Sequence, residues 1–561
     1  MSDLDLPALA ERERAKARDE WKAPMKEIDA ALVACTFGRF HIKLLSTAFV
    51  GFMSGILASS TTAYLLPSAE CDLKMDLLQK GLLNAMPYVG MLISSVVAGF
   101  LTDAFGRKIF LGVGFIGLFI FQLIGGSSQT FEVLATAKFF EGLLYATSFS
   151  ACVSLTAEFS YSSIRDRVML VQSSFIAVSH VIIAAMSWGI LTNDWKYSLF
   201  GGKFVLNTWN FYLYLMSLWA LAAFVMYVFW LPESPKYLVT QKKYDQAREI
   251  LISIYKENTG KPADTYPFYN IWKDKNKHSI DEAPERKAEM SIRHQIVEGL
   301  YNVKPMFQKP LGVYLAMTCF TNFIIMAMYN VLRLWFPQVS AIVENNPLTD
   351  GQDLCGVIDK YTSSLKPVIL INTTLTDEIC VPTKSGHETY INSIILGCVC
   401  IIPYVITALL VNRVGKKPLL IGASMISVAS SLSLRWASNK IALVSFFSIS
   451  VAIAQSMISL NQTMTVEMFP TTTRTLAISM IMVIGRIGTL SGNIVFPIML
   501  EVGCAFPFYS ISGCMWSWSL HYSYQAKSSD VTFNLSGQMR EPYYYHLNKP
   551  CRHVLIAKVF T

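Results

Sequence analysis

The sequence is short of charge. Of 561 residues only 15% are Asp, Glu, Lys or Arg, whereas 53% are hydrophobic and the mean hydropathy is +0.39. That balance excludes an ordinary soluble multidomain protein and implies a polytopic membrane chain. Other absences narrow the chemistry. There is no Walker motif, no HExxH and no GxSxG turn, so no catalytic constellation emerges and no enzyme is expected. The eleven cysteines form no CxxC-type pair, and Cys398 and Cys400 lie in an apolar run. Neither a metal site nor a redox motif nor another cofactor is expected. The first forty residues lack the apolar core of a cleavable signal, so no signal peptide is expected. A formal charge of +8 would suggest nucleic acid in a soluble protein. Here Lys and Arg gather in the connections on one side, which reads as topology and implies no nucleic-acid partner.

What the chain does contain is a series of long apolar runs, at 44–69, 81–102, 109–128, 139–157, 168–192 and 211–231, then at 311–332, 390–411, 418–434, 441–466 and 475–500. Each approaches or exceeds the length that crosses a hydrocarbon core of about 30 Å as a helix. A twelfth run, 504–524, is doubtful, because Pro507, Gly513, His521 and several serines make its insertion marginal. The expected fold class is therefore an all-α polytopic membrane protein with two six-helix halves, about twelve membrane helices in all. The lipid bilayer is its first partner.

A duplication supports the two halves. Asp103, Gly106, Arg107 and Lys108 recur 309 residues later as Asn412, Gly415, Lys416 and Lys417, and the same offset carries Glu158 onto Glu467 and Arg165 onto Arg474. Such spacing is expected of a repeated membrane unit with its polar clusters in short loops. The basic residues Arg107, Lys108, Arg165, Arg167, Arg413, Lys416, Lys417 and Arg474 all fall on the side of the basic N-terminus, which places that side in the cytosol. The expected organisation is a cytosolic segment 1–43, an N-terminal half 44–231, a charged cytosolic insert 232–310, a C-terminal half 311–524 and a tail 525–561. Within the insert, 244–255 has apolar residues at helical spacing.

The connection 336–388 faces the opposite side. It holds Cys355, Cys380 and the sequon Asn372-Thr373-Thr374, all of which an exoplasmic or lumenal loop would use. A Cys355–Cys380 bridge and a glycan on Asn372 are expected. Cys71 is a third cysteine on that side, so the pairing stays open, as does the alternative of three free thiols and an unused sequon.

Gly112, Gly114 and Gly117 spell GxGxxG, but inside a membrane-length run with no preceding strand they read as helix-packing glycines. Charges within spans are more informative, because an ionisable group in the hydrocarbon region needs a cavity or a partner. Lys138 and Glu141 lie three apart on one helix face and can neutralise each other. Arg486, flanked by Gly485 and Gly488, is read as a central-cavity residue. His180 in the fifth run and Gln455 in the tenth complete the cavity candidates. In the cytosolic layer, Asp103, Gly106, Arg107, Lys108, Glu158 and Arg165, with Asn412, Arg413, Gly415, Lys416, Lys417, Glu467 and Arg474, are the gate candidates, able to form ion pairs that hold in one state and part in another.

The loop Gly99, Leu101, Asp103, Gly106, Arg107, Lys108 resembles the motif between helices two and three of the major facilitator superfamily. The stretch PESPKYL at 232–238 is similar to the PESPR-type motif after helix six of sugar porters and organic-ion transporters. Glu467-Met468-Phe469-Pro470-Thr471 to Arg474 resembles its counterpart after helix ten. Phe37-Gly38-Arg39-Phe40, the LPSAE run at 66–70 and a glycosylated loop between helices seven and eight resemble the synaptic vesicle glycoprotein 2 family. That family commonly carries acids in helix one, whereas 44–69 has none, and its lumenal loop is longer.

The resemblance implies a transporter of a small-molecule substrate by alternating access, with a possible coupling ion, in the plasma membrane or a secretory or synaptic-type vesicle. The charge count inside the spans favours an anionic or neutral polar solute. The alternative is a transport-inactive membrane glycoprotein of the same shape that binds partners.

Overall fold

The computed structural model describes residues 27–199, 201, 204–272, 307–308, 311–346, 353–364, 385–469, 474–517 and 519, with backbone alone at 96–105, 166, 170, 408, 412, 466–467 and 474–476. A short helix α1 (27–34) precedes the membrane. The N-terminal half then runs through α2 (Arg39–Ala69), α3 (Leu77–Phe105), α4 (Arg107–Gly126), α5 (Phe131–Phe159), α6 (Ser162–Leu191) and α7 (Thr208–Val225), which ends in a π-turn at Met226–Trp230. A hairpin, β1 (Lys196–Leu199) with β2 (Phe204–Asn207), links α6 to α7, Lys196 opposite Asn207. Two helices of the insert follow, α8 (Pro235–Thr240) and α9 (Tyr244–Thr259). The C-terminal half consists of α10 (Leu311–Asn345), α11 (Leu354–Ser364), α12 (His387–Val399), α13 (Ile401–Val414), α14 (Lys416–Ser433), α15 (Lys440–Met468), α16 (Arg474–Val502) and α17 (505–517).

Among the described residues, nine segments are long and apolar enough to cross a membrane, the pair α12–α13 counting as one. The helices α3 and α5, 29 residues each, occupy the second and fourth places in the series. The α12–α13 segment breaks at Cys400, where Pro403 cannot donate to the carbonyl one turn back. The described part of α17, 505–517, rises about 20 Å. Its neighbour α10 is longer than the apolar run that announced it, continuing through Arg333 and Pro337 to Asn345.

Local chemistry fixes the helix ends. Asp76 and Gln79 form a reciprocal capping box at the start of α3, and Ser234, followed by Pro235 at the first helical position, caps α8. The two duplicated loops each turn at a glycine that L residues cannot replace without strain: Gly106 at φ +94° and ψ 153°, Gly415 at φ +91° and ψ 158°. The GxGxxG glycines sit on α4 against α5, where a Cβ on Gly114 would strike Ser148 and one on Gly117 would strike Leu144. They permit close helix packing.

Beneath the N-terminal half, α1, α9 and the segment 263–272 share an apolar core in which Ile28, Leu32, Leu251, Ile254 and Tyr255 are buried. Asn258 ties this layer to α2, donating to the carbonyls of Cys35 (3.0 Å) and Thr36 (2.9 Å) and accepting from Phe40 N (2.9 Å).

On the opposite face α11 is fastened to the C-terminal half. Leu354 N donates to Ala437 O at 2.9 Å, Arg435 pairs with Asp353, and Cys504 N donates to Asp359 Oδ1 at 2.8 Å. Here the expected bridge is corrected: Cys355 is bonded to Cys504, not Cys380, with Cα atoms 5.1 Å apart. The reason is that the start of α17 lies directly against α11, a contact spanning 149 residues of sequence. Cys71 is disulfide-bonded as well. Cys380 and Asn372 lie outside the described residues.

Candidate functional site

The two halves meet at a buried polar junction. Arg333 on α10 reaches into the N-terminal half, its Nη1 donating to Ser60 Oγ on α2 (2.7 Å) and its Nη2 to Tyr88 OH on α3 (3.0 Å). Nη2 also meets Asn330 Oδ1 (3.2 Å), which accepts from Tyr88 OH at 3.0 Å, and the guanidinium stacks on Tyr329 at 5.6 Å. Nε of Arg333 is buried without a hydrogen-bond partner. One turn further along α3, Arg486 on α16 donates from Nη1 to Met91 O at 2.8 Å. His180 on α6 completes the ring through a 3.3 Å contact with Tyr329 OH. A cavity of about 20 Å³ between Ser60, Tyr64, His180, Arg333 and Ser393 has room for one water. A larger pocket, about 170 Å³, lies between α10, α16 and α17 and is lined by apolar side chains such as Phe323, Met328, Val331, Phe496 and Met499. Its lining carries no charged group.

Towards the end that carries α11 the junction is shut. Lys80 Nζ and Glu70 Oε1 are 2.5 Å apart, both buried, and Tyr361 on α11 donates to Glu70 (2.9 Å) while accepting from Lys80 (3.2 Å). Trp188 Nε1 on α6 donates to His387 Nδ1 at the start of α12 (2.6 Å). Gly81 lets α3 pack on α16 at Asn493 and Pro497. Every one of these contacts crosses from one half to the other or closes the mouth between them.

The remaining cavity candidates lie elsewhere. Lys138 and Glu141, both with no exposed side-chain surface, pair at 2.9 Å, and Lys138 also donates to Thr61 at 3.0 Å. They neutralise each other inside the N-terminal half. Gln455 is buried on α15 beside Tyr404, within the C-terminal half.

At the end that carries α8, Arg107 pairs with Glu158 at 2.9 Å and lies 5.4 Å over the ring of Tyr237 on α8. Glu233 accepts from Lys108 N (3.3 Å) and Ser234 N (3.0 Å), joining the motif loop to the insert. Arg165 does not meet Glu158. It hydrogen-bonds Ser160 O and pairs with Asp29 of α1 at 3.7 Å, and Asp29 also accepts from Ser162 Oγ at 2.7 Å. Burial, and next to it the Arg165 charge, push Lys236 down to about 8. In the second copy Arg413 is exposed while Lys416 and Lys417 are half-buried. The side chains of Asp103, Asn412, Glu467 and Arg474 lie outside the described residues.

Arg333, Lys80 and Glu70 are absent from the candidates that the sequence supplies. Arg333 follows the apolar run 311–332 by one residue, and Lys80 precedes the run 81–102 by one, so both read as flanks. The signal for Arg333 was available in the apolar stretch that resumes after it, Leu334 to Phe336.

Three comparisons bear on this arrangement. The profile of the family described as sugar (and other) transporter matches residues 30–330 and 365–523. Human synaptic vesicle glycoprotein 2A is 23% identical over 288 residues, 51% of this chain and 38% of that protein, and rat synaptic vesicle glycoprotein 2C is 23% identical over 342 residues, 58% and 47% respectively. The chain thus spans less than half the length of these relatives. Among solved structures, the inward-open xylose transporter XylE from E. coli superposes with a TM-score of 0.58 at 16% identity, covering 86% of this chain and 96% of that one. The nucleoside transporter NupG gives 0.53 at 9% identity, covering 87% and 99%. These likenesses are of fold.

Proposed function

From the premise that the chain belongs to the sugar (and other) transporter family, we propose that this integral, multi-pass membrane protein moves a small organic solute by alternating access, with the solute site at the polar junction between the halves. The observation that carries the reading is the junction itself. It is polar, it is built from both halves, and its lumenal mouth is closed by contacts that must part for the opposite state, above all Lys80–Glu70–Tyr361. A carboxylate-bearing or neutral polar solute fits best, because Arg486 reaches the junction while Glu141 is already neutralised by Lys138. A guanidinium recognises a carboxylate through paired hydrogen bonds, where a lysine offers a point charge. The names of the vesicle relatives favour a vesicle or plasma membrane.

In this reading Asp103 and Arg107 set the rate of the cycle and not the choice of solute. The test is uptake by proteoliposomes together with ligand-induced thermal shifts. Arg107→Ala should slow uptake and leave the order of stabilising solutes unchanged. A changed order with unchanged rate overturns the gate role, and absence of any solute flux or counterflow overturns the transporter.

A further inference from the structure

Two guanidiniums occupy the junction, and among the described residues neither is in an ion pair with a carboxylate. Ion pairs within the described membrane helices and at their ends include Lys80–Glu70, Lys138–Glu141 and Arg107–Glu158. What faces Arg333 is neutral: Ser60, Tyr88, Asn330 and the Tyr329 ring. What faces Arg486 is the Met91 carbonyl, with Tyr88 and Tyr145 nearby. Neutral acceptors only partly replace lost hydration, so two half-buried cations without counter-charge are a costly arrangement for a static core.

Both reach the same stretch of α3: Arg333 bonds the Tyr88 hydroxyl and Arg486 the Met91 carbonyl, three residues on. Tyr88 lies close to both cations. Arg333 also keeps one buried donor, Nε, unpartnered. A carboxylate bound side-on to a guanidinium fork would take that donor.

We propose that Arg333 and Arg486 form a two-point clamp for a short dicarboxylate, one carboxylate to each guanidinium. The proposal rests on the transporter reading for its site and adds the substrate class and a residue. A dianion cancels both charges. A monoanion leaves one uncompensated, and a neutral solute leaves two. Tyr88, bonded to Arg333 and near Arg486, positions Arg333 without contributing charge. The cavity beside Arg333 has room only for water, and Arg486 does not line it, so a dianion that bridges the two cations must part Arg333 from Ser60 or Tyr88.

The test uses the purified full-length chain in lipid nanodiscs at constant ionic strength, with succinate, its half-amide succinamate, the diamide succinamide and inorganic phosphate as probes. Succinate should raise the melting temperature with an apparent affinity about tenfold or more above that of succinamate, and succinamide should do nothing. Arg333→Ala and Arg486→Ala should each cost succinate about tenfold or more while leaving succinamate far less affected, and Arg→Lys at either position should recover part of the loss. Should the alanine variants not fold, the wild-type probe series and the lysine variants still decide. Equal stabilisation by succinate and succinamide, a stronger response to phosphate than to succinate, or a succinate response that survives both Arg→Ala changes overturns the clamp. Counterflow of a neutral sugar with no response to succinate would sink the clamp and keep the transporter. Tight succinate binding with no flux of any solute would do the reverse.

Discussion

On the sidedness proposed from the basic loops, the N-terminal half is braced on the cytosolic face, by α1, α8 and α9, and the C-terminal half on the lumenal face, by α11. The cytosolic brace is held by an apolar core and the three hydrogen bonds of Asn258, with Cys35 left as a buried free thiol. The lumenal brace, with much less apolar surface, is held by the Cys355–Cys504 disulfide and the Arg435–Asp353 pair. The difference fits that proposed sidedness, since a bridge persists on an oxidising face. It also follows size, because an eleven-residue helix cannot supply a core of its own. A duplicated unit has thus acquired two unlike supports, one after its sixth membrane helix and one after its seventh.

The largest expected effect breaks the lumenal side of this comparison. The Cys355→Ser/Cys504→Ser protein should lose about 2–4 kcal/mol, as is usual for a bridge that closes a long loop, and melt several degrees lower. Maleimide labelling of Cys35 in the folded protein should stay low, because the two braces do not share residues. A melting temperature unchanged by the double substitution would mean that α11 is held by its polar contacts alone.

The next effect compares the two copies of one turn. Gly106 and Gly415 have matching backbone angles, so alanine at either should cost about 1–3 kcal/mol in strain. Only at Gly106 does the new Cβ also meet a neighbour closely, Tyr237 at 2.9 Å, whereas at Gly415 the nearest atom is Pro418 Cδ at 3.8 Å. Gly106→Ala should therefore be the more damaging, and Tyr237→Ala should rescue it to the level of Gly415→Ala. Equal melting temperatures for the two single variants would show that α8 does not constrain the first loop.

A smaller loss, about 1–3 kcal/mol, is expected from Asn258→Ala, which leaves two carbonyls and an N–H of the α1–α2 link without their partner. Burial pushes the Cys35 thiol up to about 11, partly opposed by its bond to Tyr266, so it is nearly inert in the folded brace. Faster maleimide labelling of Cys35 in Asn258→Ala, without a change at the lumenal bridge, would confirm that the brace opens locally. Unchanged labelling would assign the tie to the apolar core.

How far all this is legible in sequence depends on whether the signal is local. The membrane runs, the charged insert with its helix near 244–255 and the repeated Gly-Arg-Lys and Gly-Lys-Lys loops are short-range patterns, and they give the architecture. The junction is not short-range. Arg333 sits where the apolar run 311–332 stops, and a charge inside a long helix looks the same in sequence as a charge at its end. The helix continues to Asn345, and the partners that receive the guanidinium, Ser60 and Tyr88, are more than 240 residues away. The pairing of Cys355 with Cys504 is hidden for the same reason, since proximity in sequence favoured Cys380. Lys138 and Glu141, which their i,i+3 spacing suggested could pair, do so.

The smallest effect is one of pH, and it sharpens what the insert does for the first loop. Lys236 belongs to the motif that follows α7 and lies among Arg165, Asp29 and Glu158. Burial first, then the like charge of Arg165, hold its pKa at about 8 instead of the usual 10.5, although Asp29 and Glu158 pull the other way. The folded state therefore disfavours the protonated amine. Below pH 8 Lys236 is charged in both folded and unfolded chains, and the fold carries the full penalty. Between about pH 8 and 10.5 the unfolded chain still binds the proton that the folded chain has released, so this group makes stability rise with pH across that window. Lys236→Met removes both the penalty and the slope. At pH 7 the variant should melt slightly above the wild type, and the gap should close as the pH approaches 10. Melting curves of the two proteins measured from pH 7 to 10 provide the check, because the other titrating groups are common to both and cancel in the difference. Parallel curves would mean that Lys236 reaches solvent and plays no part in joining the insert to the loop at Gly106.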